Sequence, residues 1–249
     1  MMVIAEYRIN YFLELLVLLA QFVVFYIFWK SLLGNQAIIP GWNLGELVVL
    51  FSVQNFFLGI LTIFGPAGLN LWKKIGQGEL DKYLCRPTTA WFMLVGEGLR
   101  ISLVGFGLGI AGLLAATIVL GVAIRLEVIG LLVIILLLAA LITLFFFLSL
   151  SMLVFWIEKV EFANRIWEGL FEFQWYPQTL FPGWIQLITS FTVPFLFGHT
   201  IPAMALLGKI SMKSLFFLLG AEIGILIINF VLFQILWRRG VTRYVSYGG

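Results

Sequence analysis

Residues 128–156 read VIGLLVIILLLAALITLFFFLSLSMLVFW, twenty-nine positions without one charged side chain. As a helix rising 1.5 Å per residue, such a run covers about 43 Å, more than the ~30 Å hydrocarbon core of a bilayer. It is therefore expected to cross a membrane. The rest of the chain has the same character, since 62% of its 249 residues are hydrophobic and only 11% charged, with mean hydropathy +1.10. Soluble proteins carry about a quarter charged residues. The expected fold is all-α, a single polytopic membrane domain over residues 1–249.

Working outward from that run, further apolar segments of spanning length appear. Tyr11 to Leu33 is the first, interrupted by Glu14 and Gln21 and closed by Trp29 and Lys30, an interfacial ending. The opening MMVIAEYRIN lacks a short basic leader with a cleavage site, so this helix is expected to stay. Leu44 to Leu71 is the second, with Gly65-Pro66 expected to kink it. Trp91 to Val122 is the third, residues 128–156 the fourth, and Leu215 to Leu236, ending at Trp237-Arg238-Arg239, the last.

Two segments compete for a fifth crossing. Trp184 to Leu207 is uncharged but broken by Pro194 and Pro202, whereas Phe162 to Pro177 carries Arg165, Glu168 and Glu172, with Glu161 just before. Those four charges fall at i, i+4, i+7 and i+11, within about 60° of one helical face, opposite Phe162, Ile166, Leu170 and Phe173. A central charge costs about 2.5 to 3.5 kcal/mol on insertion scales, against ~0.3 to 0.6 gained per large apolar residue. Such a helix crosses only with its stripe turned toward protein or a wet path, and otherwise lies flat on the surface. With the N-terminus inside, and Arg100 within the third span, ten of the fifteen Lys and Arg fall on the cytoplasmic side if Arg165 lies flat there and nine without it, against four outside. This bias puts both termini in the cytoplasm.

The longest polar interruption, Trp72 to Trp91, then faces the cytoplasm with Lys73, Lys74, Glu79, Asp81, Lys82 and Arg86. It is expected to form a short amphipathic helix fixed from beneath by Leu80, Tyr83 and Leu84 and ended by Pro87, which disfavours the helical region for Arg86. No P-loop, nucleophile elbow or His-Glu-x-x-His pattern occurs, so any ATP is used by a partner. A single cysteine, Cys85, and a single histidine, His199, leave neither disulfide nor metal cluster to expect, and no catalytic set is evident. Scattered basic residues give no nucleic-acid footprint. The intramembrane polar candidates are Glu97 and Arg100, paired at i, i+3, the Arg165, Glu168 and Glu172 stripe, and Glu222, a lone acid in the outer half of its helix that functions or simply reaches water. Gly105 with Gly109, and Gly220 with Gly224, read as helix-packing pairs. His199 reads as a packed histidine and Cys85 as a small loop residue.

The run Gly78-Glu79-Leu80-Asp81-Lys82-Tyr83-Leu84-Cys85-Arg86-Pro87 resembles the G-[DE]-L-D-x-x-L-x-R-P pattern of ABC-2 type transporter permeases. The likeness continues in Phe181-Pro182-Gly183-Trp184, Val193-Pro194-Phe195, Ile201-Pro202-Ala203, Leu207-Gly208 and a basic end closing on Gly248-Gly249, so it covers essentially the whole chain. The resemblance implies an exporter permease of the prokaryotic plasma (inner) membrane, with six transmembrane helices and both termini cytoplasmic. It implies two permease subunits, identical or related, surrounded by membrane lipids, over two copies of an ABC ATPase that hold ATP and Mg. The loop between the second and third helices would be the coupling helix on the ATPase. Residues Gly183 to Leu207 would fold back into the outer face, which favours residues 161–178 as the fifth crossing, although that segment is more charged here than in the family. The alternatives are a secondary transporter, for which no internal repeat is found, and a membrane-embedded lipid-modifying enzyme, whose only acid cluster would be the 158–172 stripe.

Overall fold

The computed structural model describes residues 2–34, 41–85, 90–97, 104–157 and 162–244, and these form helices with no strand among them. The long elements are α1 (Met2–Gly34), α2 (Leu44–Gly76), α6 (Ile129–Met152) and α10 (Met212–Val241). Between them lie α3 (Asp81–Leu84), α4 (Ala90–Glu97), α5 (Val104–Leu114), α7 (Phe162–Phe171), α8 (Gly183–Phe191) and α9 (Ile201–Leu206). Two π-helical turns, Ala115–Val119 and Leu196–Thr200, follow α5 and precede α9. Among the described residues, three helical stretches suffice by length and apolar composition to cross a membrane, Leu44–Ile63, Leu126–Phe155 and Met212–Val241, and the pair α8 and 196–206 makes a fourth if its 92° bend is counted within one span.

The helices start and stop for local reasons. Asn43 caps α2 by accepting from Glu46 N at 2.9 Å while Glu46 Oε2 accepts from Asn43 N at 2.7 Å, a reciprocal capping box. Helix α2 then runs on as one helix through Pro66 to Gly76. Helices α2 and α6 form the centre, since Leu47, Leu50 and Phe57 of one and Ile135, Ala139 and Phe147 of the other are buried. Helix α5 lies unusually close to α2, because a Cβ on Gly105 would sit 2.8 Å from Asn55 O and 2.9 Å from Gly59 Cα. Gly220 and Gly224 have no such neighbour: nothing within the described chain lies within 4 Å of where their Cβ atoms would be.

Depth within the bundle orders the 155–209 region. At one end Val154 approaches Gly76, and Phe155 packs on Gly240 and Tyr244. At the other, Trp175 stacks on Phe51 at 6.2 Å and Tyr176 meets Trp29 at 6.0 Å. Phe51 and Gly76 are separated by about 37 Å along α2, so the chain climbs the bundle between Phe155 and Tyr176. The α8–α9 pair does otherwise. Thr179, just before it, accepts from Trp42 Nε1 at 3.1 Å. Midway, Phe195 meets Phe57 edge-on at 6.3 Å. Past it, Leu206 O accepts from Arg125 N at 2.8 Å, and Lys209 pairs with Glu46 at 2.7 Å. Entry and exit are at the same end of the bundle.

Candidate coupling site and buried polar groups

The polar turn after α2 is built by a helix stop. Lys73, Lys74 and Gly76 close the helix, Gly78 adopts φ +75°, Gly78 N donates to Ile75 O at 3.1 Å and Glu79 N to Lys74 O at 3.0 Å. This is the paired-bond stop that a left-handed glycine permits, and it satisfies carbonyls the helix leaves free. Gly78 therefore shapes the turn rather than presenting chemistry. The chain re-enters the helical region at Leu80 and makes one turn, α3, with Tyr83 N bonding Leu80 O at 2.9 Å and Leu84 N the same carbonyl at 3.0 Å.

Leu80 and Tyr83 point inward and are 0% and 5% exposed. They join a lower core with Leu71, Ile75, Ala90, Val95, Leu144, Leu148, Met152, Phe233 and Trp237. Trp91 locks that core, its ring 5.4 Å from Phe233 and 6.3 Å from Phe145. Leu84 is 41% exposed, so it is not part of the floor expected of it; a single helical turn offers only one inward position besides Leu80. Above the floor, Glu79 and Asp81 are half-buried, and Lys82 and Cys85 are exposed. Lys74 lies over the Tyr83 ring at 6.0 Å and Lys73 over Trp72 at 5.6 Å. The outcome is a small charged crest on an apolar base that is continuous with α6 and α10. Arg86 and Pro87 lie outside the described residues.

The intramembrane candidates do not converge. Arg165, Glu168 and Glu172 are exposed on one face of α7 and the 3-10 turn after it, while Ile166, Leu170 and Phe173 pack on the core, as the sequence pattern requires. Glu222 lies elsewhere, on α10, with 0% exposure and neither carboxylate oxygen hydrogen-bonded. The reading in which it reaches water is thereby corrected, since α10 turns it toward the bundle with Leu215, Asn229 and Phe233. Arg100 and the side chain of Glu97 fall outside the described residues.

Sequence reasoning missed a buried polar seam beneath the bent pair. Gln54 Nε2 donates to Gln174 at 3.1 Å, Gln178 N to Thr200 Oγ1 at 3.0 Å, and Thr189 Oγ1 to Gln178 Oε1 at 3.3 Å, while His199 Nδ1 lies 3.1 Å from Thr200 Oγ1. His199 is buried as expected, against Phe195. The available signal was polar residues, Gln54 and Asn55, within an otherwise apolar span, because a polar side chain there needs a partner.

The described residues thus form an all-helical bundle with long apolar helices and a charged turn on a continuous apolar base. Residues 15–248 match the family model described as ABC-2 family transporter protein. The chain belongs to that family, multi-pass membrane permeases of ABC transport systems, which normally work with an ABC ATPase subunit. No curated protein and no solved structure matches the chain.

Proposed function

We propose that this chain is the membrane half of an ATP-binding cassette exporter in a prokaryotic plasma membrane, working as a pair of permeases over two ATPase subunits. Six passages are inferred: α1, α2, the α4–α5 segment, α6, the α7 segment and α10, with both termini cytoplasmic and α8–α9 re-entrant from outside. The climb from Phe155 to Tyr176 supports the α7 passage, and the single-ended course of α8–α9 supports its re-entrant assignment. Crossing with α7 requires Arg165, Glu168 and Glu172 to face a second permease or water, because at about 2.5 to 3.5 kcal/mol per charge they would not face lipid.

The observation that carries the coupling role is the base under Glu79, Asp81 and Lys82. A push on that crest acts on Leu80 and Tyr83, and through them on Leu148 and Met152 of α6 and Phe233 and Trp237 of α10. Glu79 and Asp81, with Lys82 and Arg86, are the residues proposed to meet the ATPase. In the reconstituted complex, Glu79→Lys with Asp81→Lys should abolish permease-stimulated ATP hydrolysis while membrane insertion is retained. Unchanged stimulation in an inserted double variant would remove the coupling assignment.

A further inference from the structure

At the seam between α1 and the 3-10 turn Glu172–Trp175, a cavity of about 180 Å³ is walled by Val24, Phe25, Phe28, Trp29, Trp175 and Tyr176. Three of these rings stand nearly at right angles to one another. Phe28 meets Trp29 at 76° and 5.1 Å, Phe28 meets Tyr176 at 82° and 6.4 Å, and Trp29 meets Tyr176 at 80° and 6.0 Å. Perpendicular rings around a void form a cage, and the negative faces of such rings attract a cation that has left bulk water.

The charge distribution agrees with a cationic occupant. Exposed Glu172 begins the 3-10 turn that ends at Trp175, so a carboxylate-bearing residue lies one turn, about 6 Å along the axis, from that wall. The neighbouring cation, Lys30, is held over the Tyr26 ring at 5.8 Å, a ring outside the wall. Room for about six water molecules, at ~30 Å³ each, accommodates a trimethylammonium group.

We propose that this cavity binds a small organic ammonium cation, with Phe28, Trp29, Trp175 and Tyr176 as its cage and Glu172 as its counter-charge. The site rests on the packing of α1 against residues 172–176 and not on coupling to an ATPase, so either can fail alone.

The test compares choline with 3,3-dimethylbutan-1-ol, which has the same shape without the charge, by titration calorimetry on the full-length chain in nanodiscs. Choline should bind saturably and at least tenfold more tightly than the alcohol. Tyr176→Leu and Phe28→Leu, at residues 38% and 44% exposed and so tolerant of change, should each weaken choline about two- to fivefold. Glu172→Gln should weaken it as well and flatten its salt dependence. Equal binding of the two probes, no saturable choline binding, or full affinity in the Phe28→Leu/Tyr176→Leu double variant would each overturn the assignment.

Discussion

Gly78 illustrates how one residue sets the position of a whole surface. At φ +75° a side chain is strained by about 1 to 2 kcal/mol, and here the strain would fall on the stop that turns α2 into α3. Gly78→Val should therefore lower the melting temperature of the purified permease by several degrees. Gly76→Ala, two residues away and helical with only Val154 at 3.8 Å from its new Cβ, should leave it unchanged or raise it. A Gly78→Val variant as stable as Gly76→Ala would show that the turn does not depend on the left-handed residue. Hydropathy ends this helix at Leu71, five residues short of its stop at Gly76, although the run K-K-I-G-Q-G carries the signal, basic residues in a last turn followed by glycine. Leu84 was misread because the expected helix was longer than one turn.

Among the elements, α7 and the α8–α9 pair are the two that compete for the fifth crossing. Hydropathy alone favours residues 184–207, whose Pro194 and Pro202 give the clue to the bend but not its direction. The charged stripe of α7 was legible as a face, since Ile166, Leu170 and Phe173 recur with helical spacing. What it faces is not written in that spacing. The bent pair is held at its exit by Lys209, which pairs with Glu46, donates to Gly41 O and lies over the Trp42 ring at 4.9 Å. Half-exposed ion pairs contribute about 1 kcal/mol or less. Lys209→Met should accordingly speed hydrogen exchange at residues 206–210 by up to about fivefold while the amides of α6 keep their protection. Exchange unchanged at residues 206–210 would mean that the Arg125–Leu206 backbone bond holds the exit by itself.

For the whole molecule, the decisive quantity is the side of the membrane on which Pro182 and Gly183 emerge. The proposed topology puts Gly183, exposed at the start of α8, outside. On a Cys85→Ser background, Gly183→Cys should react with an impermeant maleimide added to intact cells. Labelling only after the cytoplasmic side is opened would overturn the re-entrant assignment and return the fifth crossing to residues 184–207. The class of the protein, its long helices and its charged turn were open to sequence reasoning because each is written in composition or in contiguous residues. The polar seam of Gln54, Gln174, Gln178 and Thr200 and the aromatic cage joining Trp29 to Tyr176 are not, since their members are brought together only when distant segments pack.

The lower core also has a bearing on biogenesis. Leu144, Leu148 and Met152 emerge from the ribosome long before Phe233 and Trp237, the residues that cover them. Until the last helix has entered the bilayer, the base beneath Leu80 and Tyr83 is unfinished. Under the coupling proposed above, a chain truncated before residue 212 would lack the Phe233 and Trp237 part of that base and would present the ATPase with an unsupported turn.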